Sequence, residues 1–383
     1  MGKWTEMRAA DFIEFNPRMS IKKGTIATKV AMDKLQPFTK KIPDTEKAPF
    51  SGGSKFRNGD TIMARITPCL ENGKTAFVDI LGEDEIAFGS TEFIVMRAKE
   101  GVSDPQFIYY LATSPSFRNI AIKSMVGSSG RQRVQQTVLD ELVLSVPPLE
   151  EQKKISSLLC VLDQKIALNN EINDNLQQQA MALYAEMFLN SSDNNVTSGT
   201  LSDIAAITMG QSPSGSSYNE DGVGEVFYQG RAEFGFRFPK RRLFTTEPKR
   251  MAETGDVLLS VRAPVGDLNV AYERCCIGRG LGAIHSKTGH SSFVLYTMFA
   301  LRSQLDVFNG EGTVFGSINR DALNAIPIDI PPVTEIDQFE AVAHPIDELI
   351  RANYEENCRL EAIRDSLLPK LMSGEIDVSA VNL

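Results

Sequence analysis

The chain has 383 residues, 42% of them hydrophobic and 23% charged, which is enough for two or three domains that each bury a core. Its five cysteines form no C-x-x-C pair and no run of about 18 apolar residues occurs, so a disulfide framework and a membrane-spanning helix are excluded and a reducing cytoplasm is expected. The net charge of −9 does not exclude a nucleic-acid partner, because residues 1–148 hold 20 basic and 17 acidic side chains and the acidic excess lies mainly in residues 149–199 and 331–383.

Residues 1–148 are predicted to form a mixed α/β domain. A turn at Gly59-Asp60 comes directly before a β-prone run that ends at Ile66. Residues 107–113 and 116–124 have the pattern of helices. This alternation of strand and helix signals favours a compact domain that contains both kinds of element.

A long helix is predicted over residues 149–189. It follows Pro147-Pro148 and opens with acidic residues, which suit a helix N-terminus. Its apolar residues recur with heptad spacing, from Ile155 to Met187. About 37 residues, or roughly 55 Å, without internal caps are typical of a coiled coil. Residues 190–200, rich in Ser, Asn and Thr, are predicted to be a linker.

The second half of the chain repeats the first. The sequence from Leu139 matches the sequence from Leu323 at a constant offset of 184 residues, through the proline pair and far into the helix. A second mixed α/β domain is predicted, with a Gly255-Asp256 turn before its β-prone run. The boundaries that follow are 201–332 for this domain, 333–375 for the second helix and 376–383 for a C-terminal tail.

The two long helices are predicted to form an antiparallel coiled coil, which gives the chain a pseudo-two-fold internal repeat. The second helix repeats the apolar stripe of the first at the same offset. His344-Pro345 is expected to kink or interrupt it, because proline removes a backbone donor and crowds the preceding turn.

Asparagines interrupt both apolar stripes at matched places, Asn169 and Asn173 in the first helix and Asn353 and Asn357 in the second. A buried asparagine costs stability but fixes the register of a coiled coil. In an antiparallel pair, the matched numbering places Asn169 opposite Asn357 and Asn173 opposite Asn353. The alternative is that these asparagines lie on exposed faces of two unrelated helices.

No catalytic or metal-binding constellation is found in the sequence. His285, His290 and His344 are too scattered for a metal site, even with Cys275-Cys276 nearby. Asp60, Glu71 and Lys74 suggest a nuclease, but the Glu71-x-x-Lys74 spacing is more simply that of a turn. No phosphate-binding loop or dinucleotide fingerprint occurs, so we predict that the chain has no catalytic residue and no metal ligand of its own.

The motifs of the chain resemble those of the DNA specificity subunits of Type I restriction-modification systems, over essentially its whole length. One departure is Val333-Thr334-Glu335-Ile336, where the first helix has Leu149-Glu150-Glu151-Gln152. The resemblance rests on the V-P-P-L-x-E-Q start of the first helix, Gly59-Asp60-Thr61, the run from Arg65 to Lys74, the run from Tyr228 to Gly235, the run from Gly255 to Gly266, and the run from Leu367 to Gly374.

The resemblance implies a non-catalytic subunit that recognises a bipartite site in double-stranded DNA, one half for each α/β domain. The coiled coil would hold the halves apart. Two adenine-N6 methyltransferase (modification) subunits and the restriction/translocase subunits would be its partners. S-adenosylmethionine, ATP and Mg²⁺ would then bind to those partners, and this chain would hold no cofactor.

Cations and amides beside glycine-rich turns are our candidates for DNA binding, because Arg and Lys commonly contact guanine and Asn and Gln contact adenine. The candidates in the first domain are Arg65, Asn72, Lys74, Ser128, Ser129, Arg131 and Arg133. The candidates in the second domain are Gln229, Arg231, Arg237, Lys240, Arg241, Arg242 and Arg262. Arg65 and Arg262 are preferred, since each ends a β-run after the matched Gly-Asp turn; the alternative for each candidate is a solvated surface side chain.

Two other functions are open at this point. A duplicated coiled-coil scaffold without DNA recognition would keep the matched helices, but it gives no reason for the two domains to differ. An enzyme with an unfamiliar site would be exposed by a methyl-transfer assay on the isolated chain.

Overall fold

The computed structural model describes residues 4–128, 130–190, 196–310 and 316–378, in two compact units. The first unit joins residues 1–168 with residues 356–383, and the second is residues 169–355. Both boundaries fall inside the two long helices, whereas the sequence predicted separate helical segments from 149 and 333. The physical reason is that the apolar residues of each helix are part of the hydrophobic cores of the globular parts.

Before its long helix, the described part of the first unit contains two four-stranded sheets, one two-stranded sheet (β1 with β10) and four short helices. Its elements are β1 (Thr5–Arg8), α1 (Ala9–Phe12), β2 (Ile13–Phe15), β3 (Ile26–Val30), β4 (Glu46–Pro49), β5 (Lys55–Phe56), β6 (Thr61–Ala64), β7 (Thr75–Phe77), β8 (Ala87–Gly89), β9 (Phe93–Ala98), α2 (Pro105–Thr113), α3 (Pro115–Lys123), α4 (Gln136–Asp140), β10 (Val143–Val146) and α5 (Leu149–Tyr184), which enters the second unit. A 3-10 turn lies at Met32–Lys34. One sheet has the order β2-β9-β6-β7 and the other β4-β3-β8-β5, with β3 and β8 parallel.

The second unit follows the same plan. Its elements are β11 (Thr197–Thr200), α6 (Leu201–Ile204), β12 (Ala205–Met209), β13 (Tyr218–Asn219), β14 (Glu225–Tyr228), β15 (Phe244–Thr245), β16 (Met251–Ala252), β17 (Val257–Ser260), β18 (Leu268–Val270), β19 (Cys275–Ile277), β20 (Leu281–Ser286), α7 (Ser291–Ala300), α8 (Arg302–Asp306), α9 (Arg320–Asn324), β21 (Pro327–Ile330) and α10 (Val333–Met372), which enters the first unit. A π-helical turn at Ala185–Leu189 ends the first long helix, and 3-10 turns lie at Gly215–Ser217, Arg231–Glu233 and Val307–Asn309.

The sheets of the two units correspond strand by strand. The order β12-β20-β17-β18 repeats β2-β9-β6-β7, and β15-β14-β19-β16 repeats β4-β3-β8-β5, with β13 added at the edge. The parallel pair β3–β8 has its counterpart in the parallel pair β14–β19. The internal repeat therefore extends through both domains, although the sequence shows it without gaps only near the helices and, within the domains, only at the Gly-Asp turns.

Local sequence explains where the helices of the first unit begin. The Asp104 side chain accepts a hydrogen bond from the Phe107 N–H at 2.8 Å, and Pro105 occupies the first helical position. Ser114 and Pro115 repeat this arrangement at the start of α3. A short polar N-cap followed by proline satisfies free N–H groups and presets the helical φ angle, so α2 and α3 form where the sequence predicted helices.

The long helices pair antiparallel within each unit. In the first unit the Arg364 guanidinium contacts Asp163 at 2.9 Å, and the Lys165 ammonium contacts Glu356 at 3.2 Å. In the second unit the Asn353 amide donates to the Asn173 Oδ1 at 2.8 Å. Residue numbers therefore decrease along α10 as they increase along α5, as in an antiparallel pair. Asn173 contacts Asn353, the partner predicted from the antiparallel register.

The expected interruption of the second long helix does not occur at Pro345, and part of the expected linker is a strand. Helix α10 continues through Pro345. Phe339 and Ile350, which lie before and after Pro345, are both buried. Their burial stabilises the helix by more than the ~3 kcal/mol that a proline costs in a helix interior. Residues 197–200, expected to be linker, form strand β11, because their backbone pairs with β21 in the second unit.

The acid sensitivity of the first unit gives a testable prediction. Glu85 accepts hydrogen bonds from the Lys47 ammonium at 2.8 Å, from the Thr28 hydroxyl and from the Gly82 N–H, and these lower its pKa to about 2. The resulting stability is present above pH 4.5, the ordinary value for glutamate, and is lost as the pH falls toward 2. We expect Glu85→Gln to lower the free energy of unfolding at pH 6 by at most about 1 kcal/mol, because solvent screens the pair. Urea titrations should show that this difference disappears near pH 2; an equal difference at both pH values would contradict the assignment.

Candidate nucleic-acid interface

A Gly-Asp turn precedes the strand that leads to the candidate surface in each unit: Gly59-Asp60 before β6 and Gly255-Asp256 before β17. Asp60 is buried, accepts the Arg57 N–H at 2.8 Å and binds the Arg97 guanidinium through both carboxylate oxygens at 2.7 Å. Asp256 likewise accepts the Glu253 N–H at 2.8 Å and contacts His285 Nδ1 at 2.6 Å. Burial raises the pKa of Asp256 despite these contacts. The matched motif therefore stabilises the turn before β6 or β17.

In the first unit, a cleft of about 520 Å³ opens at the end of β6. Three cations, Arg18, Lys55 and Arg65, line it. The Arg65 guanidinium also donates to the Val134 carbonyl at 3.1 Å, which fixes its position at the wall of the cleft. A basic concavity next to a rigid strand end is suited to phosphate and base contacts.

A loop with two further arginines lies beside this cleft. The Arg65 N–H donates to the Glu92 carbonyl at 2.9 Å, and the Glu92 carboxylate binds the Arg133 guanidinium at 2.7 Å. This ion pair lowers the pKa of Glu92. Ser128 and Arg131 are exposed on the same loop, and Ser129 lies outside the described residues. DNA phosphates can compete with the exposed Glu92–Arg133 pair, because such pairs contribute little stability.

Two candidates of the first unit lie elsewhere. Asn72 is exposed on the turn after Cys69. The Lys74 ammonium donates to the Met32 carbonyl at 2.9 Å and is part-buried. The prediction that Lys74 contacts DNA is therefore corrected, since its ammonium holds a loop of the protein.

In the second unit, four exposed polar residues lie on segments that come together at the corresponding strand end: Gln211, Gln229, Arg262 and Arg279. Backbone hydrogen bonds bring their segments together. The Gly280 N–H donates to the Gln229 carbonyl at 3.1 Å, the Val261 N–H to the Gly280 carbonyl at 2.9 Å, and the Gln211 N–H to the Ile277 carbonyl at 2.9 Å. A Cβ atom at Gly278 or Gly280 would lie within 3.0 Å of the Gln229 backbone, so glycine permits this approach. Two amides and two guanidinium groups at one surface match the common base-reading side chains.

The other candidates of the second unit are mostly paired with carboxylates. Arg231 contacts Asp267 at 2.5 Å, Arg242 contacts Glu233 at 2.6 Å, and Arg241 pairs with Glu273. Lys240 and these three arginines are exposed, so all four remain accessible to a phosphate backbone.

Arg237 is a correction to the predicted DNA contacts. Its side chain is only 4% exposed. The guanidinium contacts the Asp347 carboxylate at 2.5 Å and the Gln177 side-chain carbonyl at 3.0 Å. Because both partners lie on the long helices, Arg237 attaches the globular part of the second unit to its helix pair and does not face a ligand.

Arg65 and Arg262, the two preferred candidates, do not occupy equivalent positions in the two units. The Val134 N–H donates to the Arg65 carbonyl at 2.8 Å, and in the second unit the Ile318 N–H donates to the Val261 carbonyl at 3.1 Å. Arg65 therefore corresponds to Val261, which is buried, and Arg262 lies one residue further along the chain, two residues past the end of β17. The two arginines therefore occupy different positions on their surfaces.

Sequence reasoning missed Arg18 and Lys55 in the first unit and Gln211 and Arg279 in the second. Arg279 lies between two glycines, which is the signal that selected other candidates. Arg18 and Lys55 are distant in sequence from Arg65, and only the pairing of β2 and β5 into their sheets brings them to the cleft.

The described part of the chain contains neither a metal-binding cluster of side chains nor a membrane-spanning helix. Within the described ranges 4–128, 130–190, 196–310 and 316–378, no three His, Cys, Asp or Glu side chains are grouped to hold a metal ion. No helix in those ranges is long and apolar enough to cross a membrane.

Comparison with known proteins assigns a family to this architecture. The model of the Type I restriction modification DNA specificity domain matches residues 1–178 and 194–355. The chain is 30% identical over 338 residues to the putative type I restriction enzyme MjaX specificity subunit of Methanocaldococcus jannaschii, covering 84% of this chain and 79% of that protein. The MjaIX specificity subunit of the same organism is 22% identical over 311 residues, or 73% of this chain and 71% of that protein. The crystal structure of a Type I S subunit from M. genitalium shares the fold, with a TM-score of 0.56, 16% identity and coverage of 97% of this chain and 96% of that one.

Proposed function

The chain belongs to the DNA specificity subunits of Type I restriction-modification systems, and from this premise we propose that its two recognition domains read the two halves of a bipartite site in double-stranded DNA. The first recognition domain is residues 1–148 and the second is residues 201–332. Specificity subunits are non-catalytic, and the catalytic activities belong to the partner subunits of the system. The scaffold function without DNA recognition is not favoured, because the family match extends over both domains.

One observation carries the bipartite proposal: the same strand end has different side chains in the two units. Arg18, Lys55 and Arg65 surround the cleft at β6, whereas the end of β17 carries Arg262 with Gln229 and neighbouring polar groups. Arginine and lysine favour guanine, and glutamine favours adenine. Two copies of one framework with different reading groups are suited to two different short sequences.

Partners and cofactors complete the proposal. We propose that two adenine-N6 methyltransferase subunits dock on this chain and bring S-adenosylmethionine, and that restriction/translocase subunits bring ATP and Mg²⁺. The duplicated framework supports a pair of identical partners, because each unit presents the same combination of domain and antiparallel helix pair. We expect the complex to act in the cytoplasm, where the free cysteines stay reduced.

The test is single-molecule sequencing of adenine methylation in cells that make this chain with its methyltransferase subunit. We expect a split motif, two short blocks separated by an unread spacer. Exchange of residues 1–148 for the first domain of a relative should change one block, and exchange of residues 201–332 should change only the other, so each hybrid is the matched control for the other. A motif that does not depend on this chain, or one in which both blocks change in either hybrid, would reject the proposal.

A further inference from the structure

In the second unit, a buried cluster of a tyrosine, an aspartate and a cation attaches the globular part to the helix pair. The Tyr296 hydroxyl of α7 donates to the Asp347 carboxylate of α10 at 2.9 Å. The Arg237 guanidinium contacts the same carboxylate at 2.5 Å and the Tyr296 hydroxyl at 3.4 Å. We call Arg237, Tyr296 and Asp347 the second joint cluster.

The first unit contains the same three kinds of group, in a first joint cluster of Lys40, Tyr110 and Asp163. The Tyr110 hydroxyl of α2 donates to the Asp163 carboxylate of α5 at 2.5 Å. The Lys40 ammonium donates to the Tyr110 hydroxyl at 3.1 Å and lies 4.0 Å from Asp163. Burial and the Asp163 charge raise the pKa of Tyr110, so its hydroxyl stays protonated and donates to the carboxylate.

The two clusters are structural counterparts. Asp163 and Asp347 are separated by 184 residues, the offset of the internal repeat. The Lys40 carbonyl accepts the N–H of Phe77, the last residue of β7, at 3.0 Å; the Arg237 carbonyl accepts the N–H of Val270, the last residue of β18, at 2.8 Å. Since β7 and β18 are matched strands, the cation comes from the same place in both domains although its type differs.

We propose that the two joint clusters are positioning groups that fix the angle of each recognition domain on its helix pair, and so set how strictly the subunit selects the spacer length of its DNA target. This inference rests on the proposed bipartite function. The tyrosines belong to α2 and α7, and those helices pack on β9 and β20 of the sheets that end at the candidate surfaces. A domain that turns about its helix therefore carries its reading surface with it.

The stiffness of this attachment decides whether a recognition domain can follow a change in spacer length. One extra base pair in the spacer moves a half-site by about 3.4 Å and rotates it by about 34°. A domain can follow that displacement only if contacts with its helix give way. A tyrosine–carboxylate hydrogen bond is directional and here largely shielded from water, so it opposes rotation more than the surrounding apolar contacts, which are not directional.

The test uses the complex of this chain with its methyltransferase subunit, acting on duplexes whose spacer has the wild-type length or is one base pair shorter or longer. The variants are Tyr110→Phe and Tyr296→Phe, which remove one hydroxyl each. The control is Tyr218→Phe, which removes a hydroxyl that bonds the Pro213 carbonyl within the second domain. The quantity measured is the ratio of initial methylation rates on the altered and wild-type spacers.

We expect each joint variant to raise that ratio about tenfold, the equivalent of ~1.4 kcal/mol, and the double variant to raise it further. The control should keep the wild-type ratio. Loss of folded protein lowers both rates together and leaves the ratio unchanged, so a role limited to stability is distinguishable. Thermal unfolding of each variant, followed by circular dichroism, checks the amount of folded protein.

The outcomes separate this inference from the function on which it rests. A bipartite motif with unchanged spacer ratios in Tyr110→Phe and Tyr296→Phe would overturn the positioning role alone. A wild-type complex without a bipartite motif would overturn the proposed function and this inference with it. A tenfold rise in the control as well would show that any loosening of a domain relaxes the spacer, and would also overturn the role of the clusters.

Discussion

Replacement of Arg237 by alanine is expected to lower the free energy of unfolding of the second unit by about 3–5 kcal/mol. The guanidinium is 4% exposed and contacts the Asp347 carboxylate at 2.5 Å. Its removal leaves a carboxylate without its cation in a site that solvent hardly reaches. Hydrogen exchange of peptides from β17 and α7 in guanidinium chloride measures the loss in this unit.

The matched control for Arg237→Ala is Arg231→Ala, which breaks an exposed pair with Asp267 and should cost less than about 1 kcal/mol. A second variant, Arg237→Met with Asp347→Leu and Tyr296→Phe, removes both charges and the buried hydroxyl that bonds them, and should recover most of the stability, because apolar groups replace a buried polar cluster at little cost. If Arg237→Ala and Arg231→Ala cost the same, the guanidinium does not hold the domain to its helices.

Replacement of Arg262 and Arg279 together by alanine is expected to weaken binding of the cognate DNA by about 2–6 kcal/mol, with the loss confined to one block of the motif. Both guanidinium groups are exposed at the end of β17, and the bond from the Val261 N–H to the Gly280 carbonyl holds their segments together at 2.9 Å. Each bidentate contact to guanine contributes about 1–3 kcal/mol of discrimination. Fluorescence anisotropy with duplexes altered in one block at a time measures the effect.

The control for this double variant is Arg274→Ala. Arg274 is exposed and lies directly before β19, at the end of that strand opposite to Gly278 and Arg279, where it pairs with Glu225 at 3.1 Å. We expect its loss to leave affinity within about twofold at fixed salt, because Arg274 lies at the end of β19 away from the candidate surface. A uniform weakening by Arg262→Ala with Arg279→Ala on every sequence would assign these arginines to phosphates instead of bases.

Contacts between distant segments explain the site residues that sequence reasoning missed or misplaced. Arg237 and Arg242 look alike in the sequence, as cations near a glycine-rich turn. The fold buries Arg237 against Asp347 and leaves Arg242 exposed, and this difference depends on contact with a helix more than one hundred residues away. Periodicity and spacing carry no information about such contacts, because they report only on neighbours along the chain.

The sequence by itself determined the duplicated plan: two mixed α/β domains, each followed by a long helix, with an antiparallel register that pairs Asn173 with Asn353. These features depend on periodic apolar residues, prolines and a constant offset, which are local or repeated signals. Only the tertiary structure decided that each domain shares a core with its helices, that Arg65 corresponds to Val261, and that Arg18 and Lys55 join Arg65 at one cleft. The reason is that strand pairing and core packing bring together residues from distant parts of the chain, and the side chains at the resulting surface are not constrained by any repeat.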